Sequence, residues 1–410
     1  MRIAIIGGGI SGLSAAQLLK NRHDVCLFEK DKRPGGLIKC EIVGGSLFHC
    51  TGGHVFNTKR KDVMNFFWNL FKEEEFYKID RHSIISLDNG QEVPYPIEDH
   101  LYLLDNDIIK SVIEDLLKIK AKKDRTDRNF DDFLRNQFGP TLYNLYFNPY
   151  NRKIWRRDLR EVSLSWLDGK FPMSTVEDIL YNNIKKIEEK NFVHSQFYYP
   201  LSGGSQFIAD RLSNGLTIDC NREVRYIEKN SEGWCVNGSV FDVIIFCGNI
   251  KQLPSLLQGQ CNLSSFEKEI ENLDFHGTTS VFCEIDNNNY TWIYLPSMSY
   301  QSHRIICTGN LSPSNNKHNR TTATIEFTDY ISEKEIIQQI EAMPFHPRYL
   351  KHNYEKYTYP IQNAKTREMI SSLKSYLQER NIFLLGRFAE WEYYNMDVAM
   401  GAAIDLSEKL

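Results

Sequence analysis

The chain reads Gly7-Gly8-Gly9-Ile10-Ser11-Gly12 directly after the apolar run Ile3–Ile6, and a helical stretch, Leu13–Lys20, follows. This is a G-x-G-x-x-G motif between a predicted strand and a predicted helix. In such a motif Gly7 permits the tight turn, Gly9 lets the backbone approach a pyrophosphate, and Gly12 allows close packing of helix on strand. The helix N-terminus then offers N–H groups to the phosphates. The stretch predicts a dinucleotide site; the alternative is a tight turn without a ligand.

The residues that follow indicate which dinucleotide binds. Glu29 comes 17 residues after Gly12, at the end of the apolar run Val25–Phe28, where an acidic side chain can bind a ribose hydroxyl. A second glycine pair, Gly35-Gly36, lets another loop approach the diphosphate, and Arg33 could neutralise it. This extended pattern resembles the FAD fingerprint of the amine oxidase and glutathione reductase-like class. FAD is therefore the predicted cofactor.

Length and composition limit the class of protein. With 410 residues and a net charge of −4, the chain is long enough for two or three domains and gives no sign of nucleic-acid binding. We find no apolar run long enough to span a membrane, and the N-terminus reads as a strand rather than a signal peptide. The 9 cysteines include no C-x-x-C pair. We expect buried thiols in a cytoplasmic protein, without disulfides or a metal site.

The predicted fold class is α/β: a Rossmann-like FAD-binding domain, an inserted helical domain and an antiparallel β-sheet substrate domain. Phe241–Gly248 and Ile382–Arg387 read as later strands of the first domain, and a helix is predicted from Asp397 to the C-terminus. Helical periodicity marks four stretches of the insertion: Ile108–Ile119, Phe130–Phe138, Leu142–Tyr146 and Val176–Ile187. Short β-branched runs between about 274 and 357 predict the antiparallel sheet. The predicted division is FAD-binding at 1–75, 191–265 and 361–410, sheet at 76–96 and 266–360, and helical insertion at 97–190.

Further motifs follow in order along the chain. Gly52-Gly53-His54 would let a loop lie flat over a planar ring, and His54 could then bind the flavin or a sugar hydroxyl; a structural histidine is the alternative. The others are Val93–Ile97, Phe147–Trp155, Tyr198–Gly204, Tyr357–Pro360, Gly386–Phe388 and Trp391–Asp397. The ordered set GGHV, PYPI, PYN-x-K-x-W, YP-x-x-GG, a tyrosine-proline pair and GRF-x-x-W-x-Y is similar to UDP-galactopyranose mutases, especially their eukaryotic-type branch. It runs through nearly the whole chain.

The resemblance implies an unusual flavin enzyme, active when FAD is reduced, with NAD(P)H as a possible reductant. In such mutases N5 of reduced FAD attacks the anomeric carbon of an NDP-sugar and expels the nucleoside diphosphate. The sugar ring opens and closes again in the furanose form, without net redox change. The implied partner is an NDP-sugar, UDP-galactose or a modified relative, and a homodimer is possible. The alternatives are an amine oxidase or protoporphyrinogen oxidase-like enzyme and a flavoprotein that binds a ligand without turnover.

The resemblance also assigns residues. Arg304, followed by Asn310-Leu311-Ser312-Pro313, matches a diphosphate arginine, whereas a surface arginine is the alternative. The implied catalytic residues are His54, Arg304 and Lys170. The implied substrate residues are Tyr95, Trp166, Lys170, Tyr198, Arg304, Tyr359, Arg387, Tyr393 and Asn395. The implied cofactor residues are Gly7, Gly9, Ile10, Ser11, Gly12, Glu29, Arg33, Gly35, Gly36, His54, Val224, Gly386, Arg387, Met396, Asp397 and Val398.

Three departures bear on the identity of the sugar. After Trp166-Leu167, where the family carries its second diphosphate arginine, this chain has Lys170, which keeps the charge but loses the fork geometry. Glu98-Asp99-His100 stands where relatives carry neutral amides near the sugar, which would alter hydroxyl recognition or favour a modified sugar. Asn395 stands where bacterial relatives carry an acid. These changes concern galactose itself more than the mutase chemistry.

Overall fold

The computed structural model describes residues 1–122, 126–164, 167, 174–187 and 195–410. Its strands in chain order are β1 Arg2–Ile6, β2 Asp24–Phe28, β3 Cys40–Val43, β4 Ser46–His49, β5 Phe76–Asp80, β6 Ser83–Ser86, β7 Glu92–Pro94, β8 Gln196–Pro200, β9 Thr217–Asp219, β10 Ile227–Asn230, β11 Gly233–Val236, β12 Ser239–Phe241, β13 Val243–Phe246, β14 Phe275–Ile285, β15 Trp292–Tyr294, β16 Arg304–Ile306, β17 Thr321–Thr328, β18 Arg348–Pro360 and β19 Ile382–Leu384.

The α-helices are α1 Ile10–Leu19, α2 Lys61–Leu70, α3 Asn106–Ala121, α4 Phe130–Leu142, α5 Asn148–Trp155, α6 Val176–Lys185, α7 Gln206–Leu212, α8 Leu253–Leu256, α9 Ser264–Glu271, α10 Glu333–Ile340, α11 Ala364–Gln378 and α12 Met396–Ser407. A π-helical turn, Tyr143–Phe147, joins α4 to α5. The stretches predicted as helical in the insertion fall on α3, α4, this π-helical turn and α6.

A parallel sheet with the strand order β19-β13-β1-β2-β9 carries the glycine motif. Its central strand β1 is buried from Ile3 to Ile6, as expected for a parallel sheet covered on both faces. Helices α1 and α12 pack on each other beside it and share one apolar core. The α/β fold predicted from the sequence is confirmed.

The turn between β1 and α1 leaves no room for larger residues at one position. A Cβ atom at Gly12 would lie 2.1 Å from the carbonyl oxygen of Gly7, and Gly7 itself has a φ of 111°. Gly9, in contrast, has an ordinary φ of −77°, and a Cβ atom there would lie 4.0 Å from its nearest neighbour, Gly36 Cα. Gly12 is therefore required by packing, whereas Gly9 is not.

A mixed sheet with the order β18-β14-β17-β16-β15-β6-β7 lies beyond the parallel sheet. Its neighbours are antiparallel except for the parallel pair β15–β6. Arg304 on β16 stands directly opposite Glu326 on β17 in this register. The sheet therefore places a cation and a carboxylate side by side.

The helical insertion packs against this second sheet. Helix α4 kinks at Gly139, whose φ is 77°, so that the chain turns towards α5. Tyr146 and Tyr150 then share an apolar core with Trp292 and Tyr294 of β15. Helix α5 is thereby held beside the strands that carry Arg304.

The strand pairing differs at one point from the predicted division of the chain. Residues 76–96 were expected to belong to the sheet domain, but β5 pairs with β8, in residues 196–200, and only β6 and β7 join the mixed sheet. Local alternation cannot reveal a partner more than a hundred residues away. The limits of the domains otherwise stay a prediction.

No helix in the described parts of the chain is long and apolar enough to cross a membrane.

Gly12→Ala is expected to lower the free energy of unfolding by about 3 kcal/mol, because its methyl group would collide with the backbone of Gly7. The matched control, Gly9→Ala, has room for the methyl group and should stay within about 1 kcal/mol of the wild type. Urea unfolding of the apoprotein measures both. Equal losses in the two variants would contradict this account of the turn.

Candidate active site

The glycine motif forms a cradle made of backbone. Glu29 is buried, and its carboxylate accepts hydrogen bonds from the N–H groups of Gly8 at 2.8 Å and Asp31 at 2.9 Å. These bonds fix the carboxylate at the end of β2, where its remaining lone pairs can accept a ribose hydroxyl. Ile10 and Ser11 begin helix α1. The residues present therefore fit a dinucleotide.

The second glycine pair faces the first. A Cβ atom at Gly36, whose φ is 54°, would lie 3.1 Å from Gly9 Cα, so side chains at this position would fill the space between the two loops. Arg33 is exposed, and its guanidinium donates to the carbonyl of Cys40. Its predicted role in neutralising a diphosphate stays a prediction.

The far end of the chain approaches the same loops. A Cβ atom at Gly386 would lie 2.6 Å from Ser11 Oγ, so the loop after β19 touches the start of α1. Helix α12 begins with Met396, Asp397 and Val398, and burial raises the pKa of Asp397. Val224 is buried in an apolar cluster beside β1 and β2.

The Gly52-Gly53-His54 loop is held by a chain of hydrogen bonds. His49 Nδ1 accepts from the backbone N–H of His54 at 3.1 Å, which leaves His49 Nε2–H to donate to the Tyr199 hydroxyl at 2.7 Å. His54 Nε2–H donates to the carbonyl of Thr51 at 2.6 Å. A Cβ atom at Gly53 would lie 2.8 Å from Ile306 Cγ2, which explains the glycine.

His49 and His54 are both neutral at pH 7. Burial, with a second contribution from nearby His54, lowers the pKa of His49 to about 3. Burial also lowers the pKa of His54 to about 4, with a second contribution from Arg387. His54 can therefore act as a neutral hydrogen-bonding group.

One large cavity lies between the helical insertion, the mixed sheet and the start of α12. Its volume is about 1460 Å³. Five of the nine predicted substrate residues line it, namely Tyr95, Arg304, Tyr359, Tyr393 and Asn395. Because Asp397 and Val398 also line it, the cavity reaches the predicted cofactor site.

Arg304 is the centre of a hydrogen-bonded group of polar side chains in this cavity. Its Nε–H donates to Glu326 Oε2, and its Nη2–H donates to the Tyr359 hydroxyl at 3.1 Å. Although burial acts to raise the pKa of Glu326, Arg304 and His303 hold it at about 2, so the carboxylate is charged. These bonds use two of the five N–H groups of the guanidinium, and three are left for a bound anion.

Two tyrosines extend this arrangement. The rings of Tyr359 and Tyr393 are stacked, with centroids 5.5 Å apart and 14° between their planes. Burial raises the pKa of Tyr359, so its hydroxyl stays protonated. Since that hydroxyl accepts from Arg304, its own proton can be donated to a ligand.

Arg387 supports the tyrosines from behind and does not line the cavity. It donates to the carbonyl of Thr358 at 3.1 Å and through Nε to that of Tyr394 at 3.0 Å, and its guanidinium lies 4.8 Å from the Tyr393 ring centroid. Thr358 and Tyr394 are the chain neighbours of Tyr359 and Tyr393. Arg387 therefore fixes the backbone that carries both rings.

The part of the cavity wall beside Arg304 is aromatic, since Tyr294 of β15 stands directly opposite Arg304 of β16. Arg81 lies over the ring of Trp292 at 4.9 Å and that of Tyr95 at 5.7 Å, and donates to the Tyr294 hydroxyl. Tyr150 and Tyr294 meet edge to face with centroids 5.4 Å apart. Flat faces and a planar cation suit the stacking of a nucleobase.

Of the predicted substrate residues that the structure describes, Arg387 and Tyr198 do not line the cavity. Arg387 lies behind it, and Tyr198 packs against Trp68 with ring centroids 5.0 Å apart. Trp166 and Lys170 lie outside the described residues, so their predicted contacts stay predictions.

Glu98 and Asp99 also lie behind the cavity wall. Glu98 is 1% exposed, and burial raises its pKa to about 8, so it is protonated at pH 7. Asp99 accepts from Asn182, which lines the cavity, at 3.1 Å. The first of the two acidic residues therefore brings no negative charge at pH 7.

Sequence reasoning missed Glu326, Arg81 and the aromatic wall around Tyr150. A signal for Glu326 was present, because a carboxylate within the continuously buried β17 needs a cation as partner. No group of three or more His, Cys, Asp or Glu side chains among the described residues could hold a metal ion.

Comparison with known proteins is consistent with this geometry. Residues 5–70 match the NAD(P)-binding Rossmann-like domain. The chain is 24% identical to UDP-galactopyranose mutase of Mycoplasma pneumoniae, over 99% of this chain and 95% of the relative. It is 22% identical to dTDP-fucopyranose mutase of Escherichia coli, over 99% of this chain and 97% of the relative.

A crystal structure of reduced UDP-galactopyranose mutase shares the fold. The TM-score is 0.88 at 19% identity, and the match covers 99% of this chain and 94% of the other. The resemblance recognised from the motifs is confirmed, and with it the expectation of an enzyme related to these mutases.

We expect acid to destabilise the protein through His49. The unfolded state takes up a proton below the ordinary histidine pKa of 6.5, whereas folded His49 stays neutral until about 3. Its stabilising contribution is complete above pH 6.5 and is lost as pH falls towards 3. At about pH 5.5 this loss amounts to about 1.4 kcal/mol.

His49→Gln removes the titrating group and keeps one donor and one acceptor. Urea unfolding at about pH 7.5 and about pH 5.5 should show a loss that is smaller by about 1.4 kcal/mol in this variant than in the wild type. Equal losses would mean that His49 is not neutral in the folded protein.

Proposed function

We propose that this protein is an FAD-dependent mutase that interconverts the pyranose and furanose forms of an NDP-sugar. The observation that carries the proposal is Arg304, paired with Glu326 and Tyr359 inside a cavity that reaches the predicted cofactor site. A nucleotide diphosphate is the ligand that this arrangement suits. The full-length similarity to two mutases of NDP-sugars supports the same conclusion.

In this reaction the protein must keep the diphosphate bound after it has left the sugar. Reduced FAD, when bound, would supply the nucleophile, with NAD(P)H as a possible reductant. The three remaining N–H groups of Arg304 can hold the diphosphate oxygens through charge-assisted bonds. The protonated Tyr359 hydroxyl can add a donor whose charge does not change.

His54 suits a role beside the sugar or the flavin. It is neutral and fixed by its bond to Thr51, so it offers an oriented polar group without a charge that would compete with Arg304. We propose that the Gly52–His54 loop covers one side of the reacting centre. Catalytic roles for His54 and Lys170 are part of this proposal.

The aromatic wall of the cavity suits the nucleobase. Tyr95 and Tyr150 belong to this wall, where Arg81 lies over the ring of Tyr95. The relatives act on UDP-galactopyranose and dTDP-fucopyranose by name, and we propose a substrate from this class of pyrimidine NDP-hexoses. Because Glu98 is protonated, an amino sugar is not required to balance its charge.

We propose a cytoplasmic location on the basis of the thiols. All 9 cysteines are free in this structure, and a reducing compartment keeps thiols in that state.

The test of the proposal is turnover by the reduced holoenzyme. We expect dithionite-reduced protein to convert UDP-galactopyranose or dTDP-fucopyranose to the furanose form, seen as a new peak on anion-exchange chromatography. Oxidised protein is the control and should form little product. Equal turnover by oxidised protein would contradict the mechanism, and oxygen-dependent consumption of an amine would identify an oxidase instead.

Arg304→Met is expected to weaken UDP binding by about tenfold to a hundredfold, because charge-assisted hydrogen bonds to the diphosphate are lost. Isothermal titration with UDP and with uridine measures the effect, and uridine affinity should not change.

Arg348→Met is the matched control. Arg348 also stands opposite a buried glutamate of the mixed sheet, Glu284, but it is exposed and does not line the cavity. Its loss should leave UDP affinity unchanged. If both variants bind UDP like the wild type, Arg304 is not the diphosphate residue.

A further inference from the structure

Lys153 is an interior lysine whose hydrogen-bond acceptors are backbone carbonyls. Lys153 is 5% exposed, and its Nζ donates to the carbonyls of Leu295 at 2.7 Å and Ser302 at 2.8 Å. The ammonium group also lies 4.7 Å from the Tyr300 ring centroid. An interior lysine is costly unless its N–H groups are satisfied, and these contacts satisfy them.

Both carbonyls belong to one hairpin. Leu295 follows β15 and Ser302 precedes β16, and the backbone N–H of Leu295 closes the hairpin by donating to the carbonyl of His303 at 2.9 Å. Arg304 is the next residue and the first of β16. Lys153 therefore holds the hairpin by two hydrogen bonds, and Ser302, one of the two acceptors, lies two residues before Arg304.

Lys153 itself lies on α5, which forms another wall of the cavity. Asn151, Ile154 and Trp155 of the same helix line the cavity. The lysine thus joins the two walls between which the predicted ligand would lie. Movement of one wall relative to the other would change the position of Arg304 with respect to Tyr150 on α5.

We propose that Lys153 is a positioning residue. By holding the hairpin against helix α5, it fixes the distance between Arg304 and that helix. The inference rests on the proposed function, since it assumes that Arg304 holds the diphosphate of the substrate. Lys153 acts through the hairpin and does not need to touch the ligand. Its loss should therefore weaken binding of the diphosphate and leave binding of the nucleoside unchanged.

The variants for the test are Lys153→Met, which keeps the length but removes all donors, and Lys153→Arg, which restores donors. Lys251→Met is the matched control. Lys251 also donates to several backbone carbonyls, among them Ile270 at 3.1 Å and Leu273 at 2.9 Å, but these lie at and just after the end of α9 and not on the hairpin that precedes Arg304. Its removal costs similar hydrogen bonds at another place.

Titration of each holoenzyme with UDP and uridine gives the first readout. Thymidine nucleotides replace them if turnover selects dTDP-fucose. We expect Lys153→Met to weaken UDP binding by about tenfold or more, because a small displacement of a binding group has a large effect. Uridine affinity should stay at the wild-type value, Lys153→Arg should recover part of the loss, and Lys251→Met should change neither affinity.

A cycle with Arg304→Met tests whether the lysine acts through the arginine. In that background Lys153→Met should produce no further loss of UDP affinity, because residues that act as a unit are not additive. A full additional loss would overturn the inference. So would wild-type UDP binding by Lys153→Met, or equal losses for UDP and uridine, which indicate a general structural defect.

Hydrogen exchange read by mass spectrometry gives a second readout that needs no ligand. Peptides covering residues 295–304 should exchange faster in Lys153→Met and at the wild-type rate in Lys251→Met. If the wild-type protein binds no nucleoside diphosphate, the proposed function fails, and the exchange result alone decides whether Lys153 holds the hairpin. Should Lys153→Met fail to fold, Lys153→Gln, which keeps one amide donor group, gives the same comparison.

Discussion

The site depends on the ion pair between Arg304 and Glu326. Glu326 is completely buried, and an isolated carboxylate in that position would be very costly, so the pair forms only because β16 and β17 place the two residues opposite each other. The carboxylate accepts a hydrogen bond from the guanidinium Nε–H and thereby fixes the orientation of the guanidinium plane. The Tyr359 hydroxyl then bonds to Arg304, the Tyr393 ring stacks on that of Tyr359, and Arg387 lies against Tyr393. Sheet register is therefore the physical origin of the proposed anion site.

The predicted cofactor half of the site is formed mainly by backbone, whereas the predicted substrate half is formed mainly by side chains. The predicted cofactor half is backbone: turns at Gly7 to Gly12, the facing Gly36 and the Gly386 loop, where added Cβ atoms would collide or fill the space. The predicted substrate half is side chains held by hydrogen bonds and ring contacts. Backbone suits a cofactor whose diphosphate never changes, whereas side chains can be exchanged to fit different sugars. This division explains how one fold can serve several NDP-sugars.

The sequence predicted the features that short segments encode. The glycine turn, the buried strand β1 and helix α12 follow from local motifs and periodicity. Arg304, Tyr359 and Tyr393, which the ordered motifs assign to the substrate, line one cavity. Features that need long-range register were missed. Glu326 is 22 residues from Arg304, and β5 pairs with β8 across more than a hundred residues. Tyr198 was expected at the substrate but packs on Trp68, because a tyrosine in a motif does not indicate which way its ring points.

The positive charge of Arg304 is balanced by its own neighbours. Arg304 is neutralised by Glu326, and Glu98, His49 and His54 are uncharged at pH 7. At Arg304 an anion would therefore bind through the direction of the guanidinium N–H groups and the Tyr359 proton, and not through an unpaired arginine charge. Under the proposed function, such an arrangement can hold a diphosphate without binding it too tightly to return to the sugar. A reaction in which the leaving group must come back needs this limit, because a strongly cationic site would retain the diphosphate as a product.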